Sequence, residues 1–311
     1  MTLSDKIYRL RKERNAIILA HNYVDAEIQN LADFVGDSLE LSLKAKKINT
    51  DTDADADKTS SPIIVFCGVS FMAETAKILS PESIVLTPTP SAGCPMADMV
   101  TADKVRKYRE TNPDTVLVAY VNSTAAVKAE VDICCTSANA ERIVRSIPKD
   151  KRIMFLPDQN LGANIRNKLG RDMALWPGFC PTHNKILPDA AKEIRTKHKD
   201  AILLVHPECT PSVVALADEA LSTGGMLKYV KESPAKQFII GTESGILYRM
   251  REENPDKTFI PLAPEPICPD MKKITLEDVC DALEYMQHEV KMDYDLIECA
   301  RTPIEKMLAV K

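Results

Sequence analysis

Three short apolar runs punctuate the chain: Ile17-Ile18-Leu19-Ala20, Val116-Leu117-Val118-Ala119 and Ile202-Leu203-Leu204-Val205. Four continuous aliphatic residues are the mark of a strand buried on both faces in a parallel sheet. Each run ends in a triplet that brings in polar groups: His21-Asn22-Tyr23, Tyr120-Val121-Asn122 and His206-Pro207-Glu208. Fifteen residues past each triplet stands a hydroxyl, at Ser38, Ser137 and Thr223. A second strand follows at Ile63 to Phe66, Ile153 to Leu156 and Phe238 to Ile240. Then come a helical stretch, a further short strand and a Cys-Pro pair: Cys94-Pro95, Cys180-Pro181 and Cys268-Pro269, spaced 86 and 88 residues apart.

Strands alternating with helical stretches predict βα units and parallel sheets. The same order met three times predicts an internal triplication. The fold class is therefore α/β, with three repeated domains over 15–100, 101–186 and 187–270 arranged around a pseudo-threefold axis. A helix within 1–14 (Ser4 to Glu13) and carboxyl-terminal helices within 271–311 (Leu276 to Val290, Thr302 to Val310) lie outside the repeat. The polar, acidic stretch from Thr50 to Ser61 lengthens the first unit and is expected to be a surface loop. No Gly/Ser-rich or Pro-rich linker separates the units, so they are expected to pack together.

Ligands of parallel α/β sheets bind beyond the carboxyl ends of the strands. The repeat therefore gathers His21, Tyr23, Tyr120, Asn122, His206, Glu208 and the three Cys-Pro cysteines toward one central site. Ser38, Ser137 and Thr223 are each placed as a helix N-cap or first-turn residue. Helix amino termini attract carboxylate or phosphate, so three of them suit a polyanionic small molecule.

Composition narrows the setting. The 311 residues are 45% hydrophobic and 27% charged, with 20 Pro and 10 Gly, which excludes a collagen-like or largely disordered chain. Forty basic residues against 45 acidic ones leave a net charge of -5. The basic runs at Arg9 to Arg14 and Lys192 to Lys199 read as solvated helix faces, so no nucleic-acid partner is expected. No apolar run approaches the ~18 residues of a membrane-spanning helix, and no apolar secretory core follows the amino terminus. The expected location is cytoplasmic, without a membrane partner. In that compartment the nine cysteines are not expected to form disulfides.

Cys94, Cys180 and Cys268 recur at matching positions, each before a proline, a step seen at iron–sulfur ligands. Three thiolates with a fourth position open suit either a zinc Lewis-acid site or a [4Fe–4S] cluster with one free iron. Cys67, Cys134, Cys135, Cys209, Cys280 and Cys299 are expected to be buried. Glu208, the one carboxylate in the triplets, is the candidate general base. His21 and His206 occupy matching strand ends, and His183 stands three residues past Cys180 as a ligand or a neighbour of the ligands. Trp176-Pro177-Gly178 is expected to pack the loop before Cys180. Walker, dinucleotide and nucleophile-elbow motifs are absent.

Assembled in order, these residues resemble the quinolinate synthases, the NadA-type enzymes of NAD biosynthesis. The likeness is carried by Ala20-His21-Asn22-Tyr23, Gly36-Asp37-Ser38-Leu39-Glu40, Ser91-Ala92-Gly93-Cys94-Pro95-Met96 and Cys135-Thr136-Ser137-Ala138-Asn139-Ala140. Further on it includes Pro157-Asp158-Gln159-Asn160-Leu161-Gly162, Trp176-Pro177-Gly178-Phe179-Cys180-Pro181-Thr182-His183 and His206-Pro207-Glu208-Cys209. It ends with Gly241-Thr242-Glu243-Ser244-Gly245 and Cys268-Pro269-Asp270-Met271-Lys272. The acidic stretch at 50–61 and Ser222-Thr223-Gly224-Gly225-Met226 depart from the family's usual pattern. The resemblance implies condensation of iminoaspartate (iminosuccinate) with dihydroxyacetone phosphate to give quinolinate, phosphate and water. It implies one [4Fe–4S] cluster per chain on Cys94, Cys180 and Cys268, whose open iron acts as Lewis acid. Glu208, Tyr23 and His206 would move protons. His21, Ser38, Tyr120, Asn122, Ser137, His206, Glu208 and Thr223 would bind substrate. A partner enzyme that supplies the imine is also implied. The rival readings are an iron–sulfur hydro-lyase acting on a small hydroxy acid and an iron–sulfur sensor; turnover of the two named substrates separates them.

Overall fold

The computed structural model describes residues 2–51, 61–262 and 265–310. Its strands are β1 (Ala16–His21), β2 (Phe34–Gly36), β3 (Ile63–Cys67), β4 (Ile84–Leu86), β5 (Thr115–Tyr120), β6 (Ile133–Cys135), β7 (Arg152–Leu156), β8 (Ala174–Leu175), β9 (Ile202–Val205), β10 (Glu219–Ala220), β11 (Gln237–Gly241) and β12 (Thr258–Pro261). They form three separate four-stranded sheets with orders β2-β1-β3-β4, β6-β5-β7-β8 and β10-β9-β11-β12. Every pairing within them is parallel. The order is the same each time, so the first strand of each run is central and its carboxyl end lies beside that of the second.

The apolar pattern follows from this placement. β3 is buried throughout, and β1 and β5 are buried at five of six positions. The edge strands β2, β6 and β10 were not expected. They are only two or three residues long and partly exposed, too short to show a period. An aspartate directs each to its edge. Asp33, Asp132 and Asp218 accept the amide hydrogens of Ile18, Leu117 and Leu203 at 2.8, 2.7 and 2.7 Å. Each aspartate's own amide donates back to the carbonyl of that same residue. An arginine completes each set, Arg11, Arg109 and Arg195, at 2.6, 3.2 and 3.0 Å. The repeat is thus written in Arg and Asp as well as in apolar runs.

Other boundaries moved. The loop expected from Thr50 does not begin there: Ser38–Asp51 is helical, and 52–60 of the acidic stretch lie outside the described residues. The first carboxyl-terminal helix is Leu276–Tyr285, not Leu276 to Val290. Met286 and His288 have φ of 51° and 60°, which ends it, and Val290 then donates to the Val85 carbonyl beside β4. The second begins at Tyr294 and runs to Ala309 with Pro303 inside it, eight residues earlier than Thr302. It buries Ala300, Ile304 and Met307 against the β5 sheet. Helices Leu3–Glu13 and Leu276–Tyr285 cover the β1 sheet, whose core also takes in Leu204 and Phe238 from the β9 sheet and Met250 from the helix Ile246–Glu253. Cysteines 67, 134, 135, 209 and 280 are buried as expected, whereas Cys299 is exposed between inward-facing Ile297 and Ala300. None of the nine is disulfide-bonded.

Asp218→Ala should cost about 1–2 kcal/mol, because Leu203 loses a charged acceptor. Asp218→Asn, which keeps an oxygen, should cost less. Urea denaturation of both variants measures the difference, and equal losses would mean that the carboxylate's charge matters more than its reach.

Candidate active site

The carboxyl ends of all three sheets open on one cavity, with about 140 Å³ of room for water-sized occupants. Its wall includes His21, Tyr23, Ser38 and Cys94 from the β1 sheet, Tyr120, Asn122, Ser137 and Cys180 from the β5 sheet, and His206, Glu208, Thr223 and Cys268 from the β9 sheet. All twelve residues singled out by the sequence pattern therefore meet there. His183 does too, as do Glu243 and Lys185.

Glu208 sits at the centre of the polar groups and is 3% exposed. Its Oε1 accepts from the Tyr120 hydroxyl at 2.5 Å, and its Oε2 lies 2.8 Å from His183 Nδ1. Burial opposes its ionisation. His183 beside it, with the hydrogen bonds from His183 and Tyr120, outweighs that and holds its carboxyl below the usual range. The His183 ring continues the chain of contacts. Its Nε2 is 2.8 Å from Thr242 Oγ1, which is 2.6 Å from the Tyr23 hydroxyl. Tyr23 also receives the Thr223 hydroxyl at 3.1 Å. Tyr120 and Glu208 are thereby joined to Tyr23 across all three sheets. Burial, first of all, keeps both tyrosines protonated, with pKa values well above the ordinary.

The two strand-end histidines are set alike. The Tyr23 amide donates to His21 Nδ1 at 3.2 Å and the Glu208 amide to His206 Nδ1 at 3.3 Å. An Nδ1 that accepts leaves the ring proton on Nε2. Burial pushes both pKa values down to about 3, so both rings are neutral. His206 also stacks on His183 with centroids 4.6 Å apart.

The helix starts differ from the expectation in one repeat. Ser38 and Thr223 are the first residues of helices Ser38–Asp51 and Thr223–Glu232, but the capping is done by their predecessors. Asp37 accepts from Leu39 and Glu40, and Ser222 from Gly225. Asp37 also accepts from Gly224 at 3.2 Å, so one carboxylate spans two helix amino termini. Ser137 lies in the turn before Asn139, the N-cap of Ala140–Ser146, and its hydroxyl reaches Tyr120 instead. The turn is held by Asn139 Oδ1, which accepts from the Thr136 amide, and this local bonding delays the helix. Asn122 Oδ1 is buried without a partner among the described residues, a polar atom left for a ligand.

The three cysteines are partly buried at the starts of short turns. Cys94 and Cys180 are N-caps of Pro95–Asp98 and Pro181–Asn184, with Pro at N1. Backbone amides two or three residues ahead point at each sulfur: Met96 and Ala97, His183, and Asp270 and Met271. Burial nevertheless raises all three thiol pKa values, that of Cys94 to about 12. A bound cation is what would draw off those protons. Cys180, His183 and Glu208 have donor atoms within 4.8 Å of one another, as do Cys280, Asp281 and Glu284. Cys94, Cys180 and Cys268 form no such close group among the described residues.

The sequence reading placed His183 only loosely and missed Thr242. It also missed Asp158 and Glu243, two wholly buried carboxylates just past β7 and β11. Asp158 accepts from the amides of Asn160 and Leu161, and Glu243 from those of Gly245 and Cys268. The available signal was an acid at the same station of two repeats, in Pro157-Asp158 and Thr242-Glu243. Trp176 packs as expected, its indole donating to the Met99 carbonyl at 3.1 Å.

Residues 5–309 match the family described as Quinolinate synthetase A protein. Proteins named quinolinate synthase from Geobacter metallireducens and Dehalococcoides mccartyi are 48% and 49% identical to this chain, covering 99% of it and 98% of their own lengths. One from Geobacter sp. strain M21 is 50% identical over 309 residues. None of the helices among the described residues is long and apolar enough to cross a membrane. With a polar site built from every repeat and this likeness from end to end, the chain belongs to the quinolinate synthetase A family of enzymes.

Proposed function

We propose that this chain is a cytoplasmic quinolinate synthase of NAD biosynthesis, condensing iminoaspartate with dihydroxyacetone phosphate to give quinolinate, phosphate and water. The observation that carries the reading is Glu208, fixed between Tyr120 and His183 in a cavity that three cysteines share. The names of the relatives support the reaction. The units 15–100, 101–186 and 187–270 would be three repeats about a pseudo-threefold axis, each contributing one cysteine.

Cys94, Cys180 and Cys268 would hold one [4Fe–4S] cluster. A single zinc ion with Zn–S bonds of about 2.3 Å needs its sulfurs roughly 3.8 Å apart. Ligands on separate irons of a cluster stand farther apart, which suits three cysteines that form no close donor group. When bound, the cluster supplies a Lewis acid at the iron without a protein ligand. The chain's own residues do the rest. Glu208 Oε2 takes up a proton and exchanges it with His183 Nδ1. His183 Nε2, Thr242 and the Tyr23 hydroxyl extend that route to the opposite wall. His21 and His206 present Nε2–H to substrate oxygens, and Asn122, Ser38, Ser137 and Thr223 add the neutral polar contacts that hold carboxylates and phosphate. Lys185 places a cation at the mouth, where anionic substrates enter.

Anaerobically purified protein should carry about four iron and four sulfide per chain, falling sharply in Cys94→Ser; stoichiometric zinc without sulfide would replace the cluster with a single-ion site. Glu208→Gln should keep its iron yet lose about 10²–10⁴ in turnover of the two substrates. An unchanged rate would remove Glu208 from proton transfer. The buried histidines give a pH dependence in the metal-free chain. Their folded pKa values lie near 3, below the usual 6.5, so the unfolded state binds more protons between those values. Stability is therefore fully present above about pH 6.5 and is lost as pH falls toward 3, by about 1.4 kcal/mol per unit for each histidine. His21→Asn should flatten the slope by one proton, as read by urea denaturation at pH 4 to 7.

A further inference from the structure

Cys268 stands apart from the other two cysteines in its surroundings. It alone has exposed residues on both sides, Ile267 and Pro269. The Cys94 loop is tied to its sheet by the Ser70 amide, which donates to the Ala92 carbonyl at 2.8 Å. The Cys180 loop is pinned by Trp176 and by the Gln159 amide on the Gly178 carbonyl. The Cys268 loop has the matching backbone tie, from the Ser244 amide to the Pro266 carbonyl at 2.9 Å, and what it adds is an ion pair between Lys272 and the buried Glu243. Glu243 has no solvent exposure, and a carboxylate so placed must be bonded and charge-compensated. Its Oε2 accepts the Gly245 amide at 2.7 Å. Its Oε1 faces the Cys268 amide and Lys272 Nζ, each at 3.4 Å.

Lys272 does not serve Glu243 alone. Its ammonium donates to the Tyr23 backbone carbonyl at 2.7 Å and lies 3.2 Å from Asp25 Oδ1. The glycine in this junction is required by close approach, since a Cβ on Gly245 would lie 2.8 Å from the Tyr23 carbonyl oxygen and 2.8 Å from Glu243 Oε2. A continuous path therefore runs from the Cys268 amide through Glu243 and Lys272 to the backbone that carries the Tyr23 hydroxyl.

We propose that Glu243 and Lys272 are a positioning pair that fixes the Cys268 corner of the metal centre and couples it to the Tyr23 loop. The inference builds on the metal reading above. Neither residue needs to touch substrate. A carboxylate that supports a ligand loop through its amide sets where the sulfur points, and loss of such supports commonly weakens metal binding 10–100-fold.

The test uses Lys272→Met, Glu243→Gln and the conservative Lys272→Arg in the full chain. In anaerobically purified, iron-loaded protein, excess ferrous chelator should strip iron about tenfold faster from Lys272→Met than from wild type. Glu243→Gln should move the same way, and Lys272→Arg should recover most of the loss. In the same chains freed of metal, N-ethylmaleimide labelling mapped by mass spectrometry should speed up several-fold at Cys268 while Cys94 and Cys180 keep their wild-type rates. Wild-type labelling at Cys268 in both Lys272→Met and Glu243→Gln would overturn the proposal. So would an equal acceleration at all three cysteines with a lowered melting temperature, the mark of general loosening. A wild-type chain that takes up no iron would sink the metal reading by itself, and the labelling rates would still decide the pairing.

Discussion

A carboxylate kept charged inside protein is the constraint around which this molecule is arranged. Glu208 is taken out of water, and isolation of that kind ordinarily drives an acid to its neutral form. It stays ionised because each oxygen has a dedicated partner, Tyr120 on one and His183 on the other. Those partners come from a different sheet than Glu208 does. Tyr120 ends β5, and His183 follows the Cys180 turn. Separation of the sheets would leave a buried charge unpaired, which costs far more than the contacts themselves contribute. The charge therefore makes assembly of the repeats and integrity of the site one requirement.

A shared sheet order makes that assembly simple. One sheet order used three times delivers three first-strand ends, three second-strand ends and three cysteine turns to a single cavity. The Arg–Asp sets at the opposite side of each sheet fix where the short edge strand begins. That in turn fixes where the hydroxyl fifteen residues past the triplet arrives. Divergence among the repeats then supplies chemistry. The triplet positions hold two histidines, two tyrosines, two asparagines and one glutamate, and the acids past β7 and β11 bond the amides of Cys180 and Cys268.

Much of this was legible in the sequence because it rests on local pattern. The central strands show as apolar runs, and the cysteines show by their prolines and their even spacing. What escaped notice depends on groups that are distant in sequence. The edge strands are too short for a period, and they are defined by side chains reaching back fifteen residues to bond an amide. Ser137 looked like its counterparts, yet Asn139 bonds Thr136 and delays the helix. The last helix was expected from Thr302, but it begins at Tyr294 against the β5 sheet and carries Pro303 inside it. Thr242 has meaning only once His183 and Tyr23 are seen on either side of it, 59 and 219 residues away.

The backbone amides that bond His21 and His206 have an effect on selectivity. They leave each ring with one free edge, and that edge can only give a hydrogen bond, never receive one. An ammonium group or an amide N–H would find no answer from these two rings, whereas oxygen atoms of acids, carbonyls and phosphates would. The main chain thus filters molecules by the direction of their hydrogen bonds before any reaction begins.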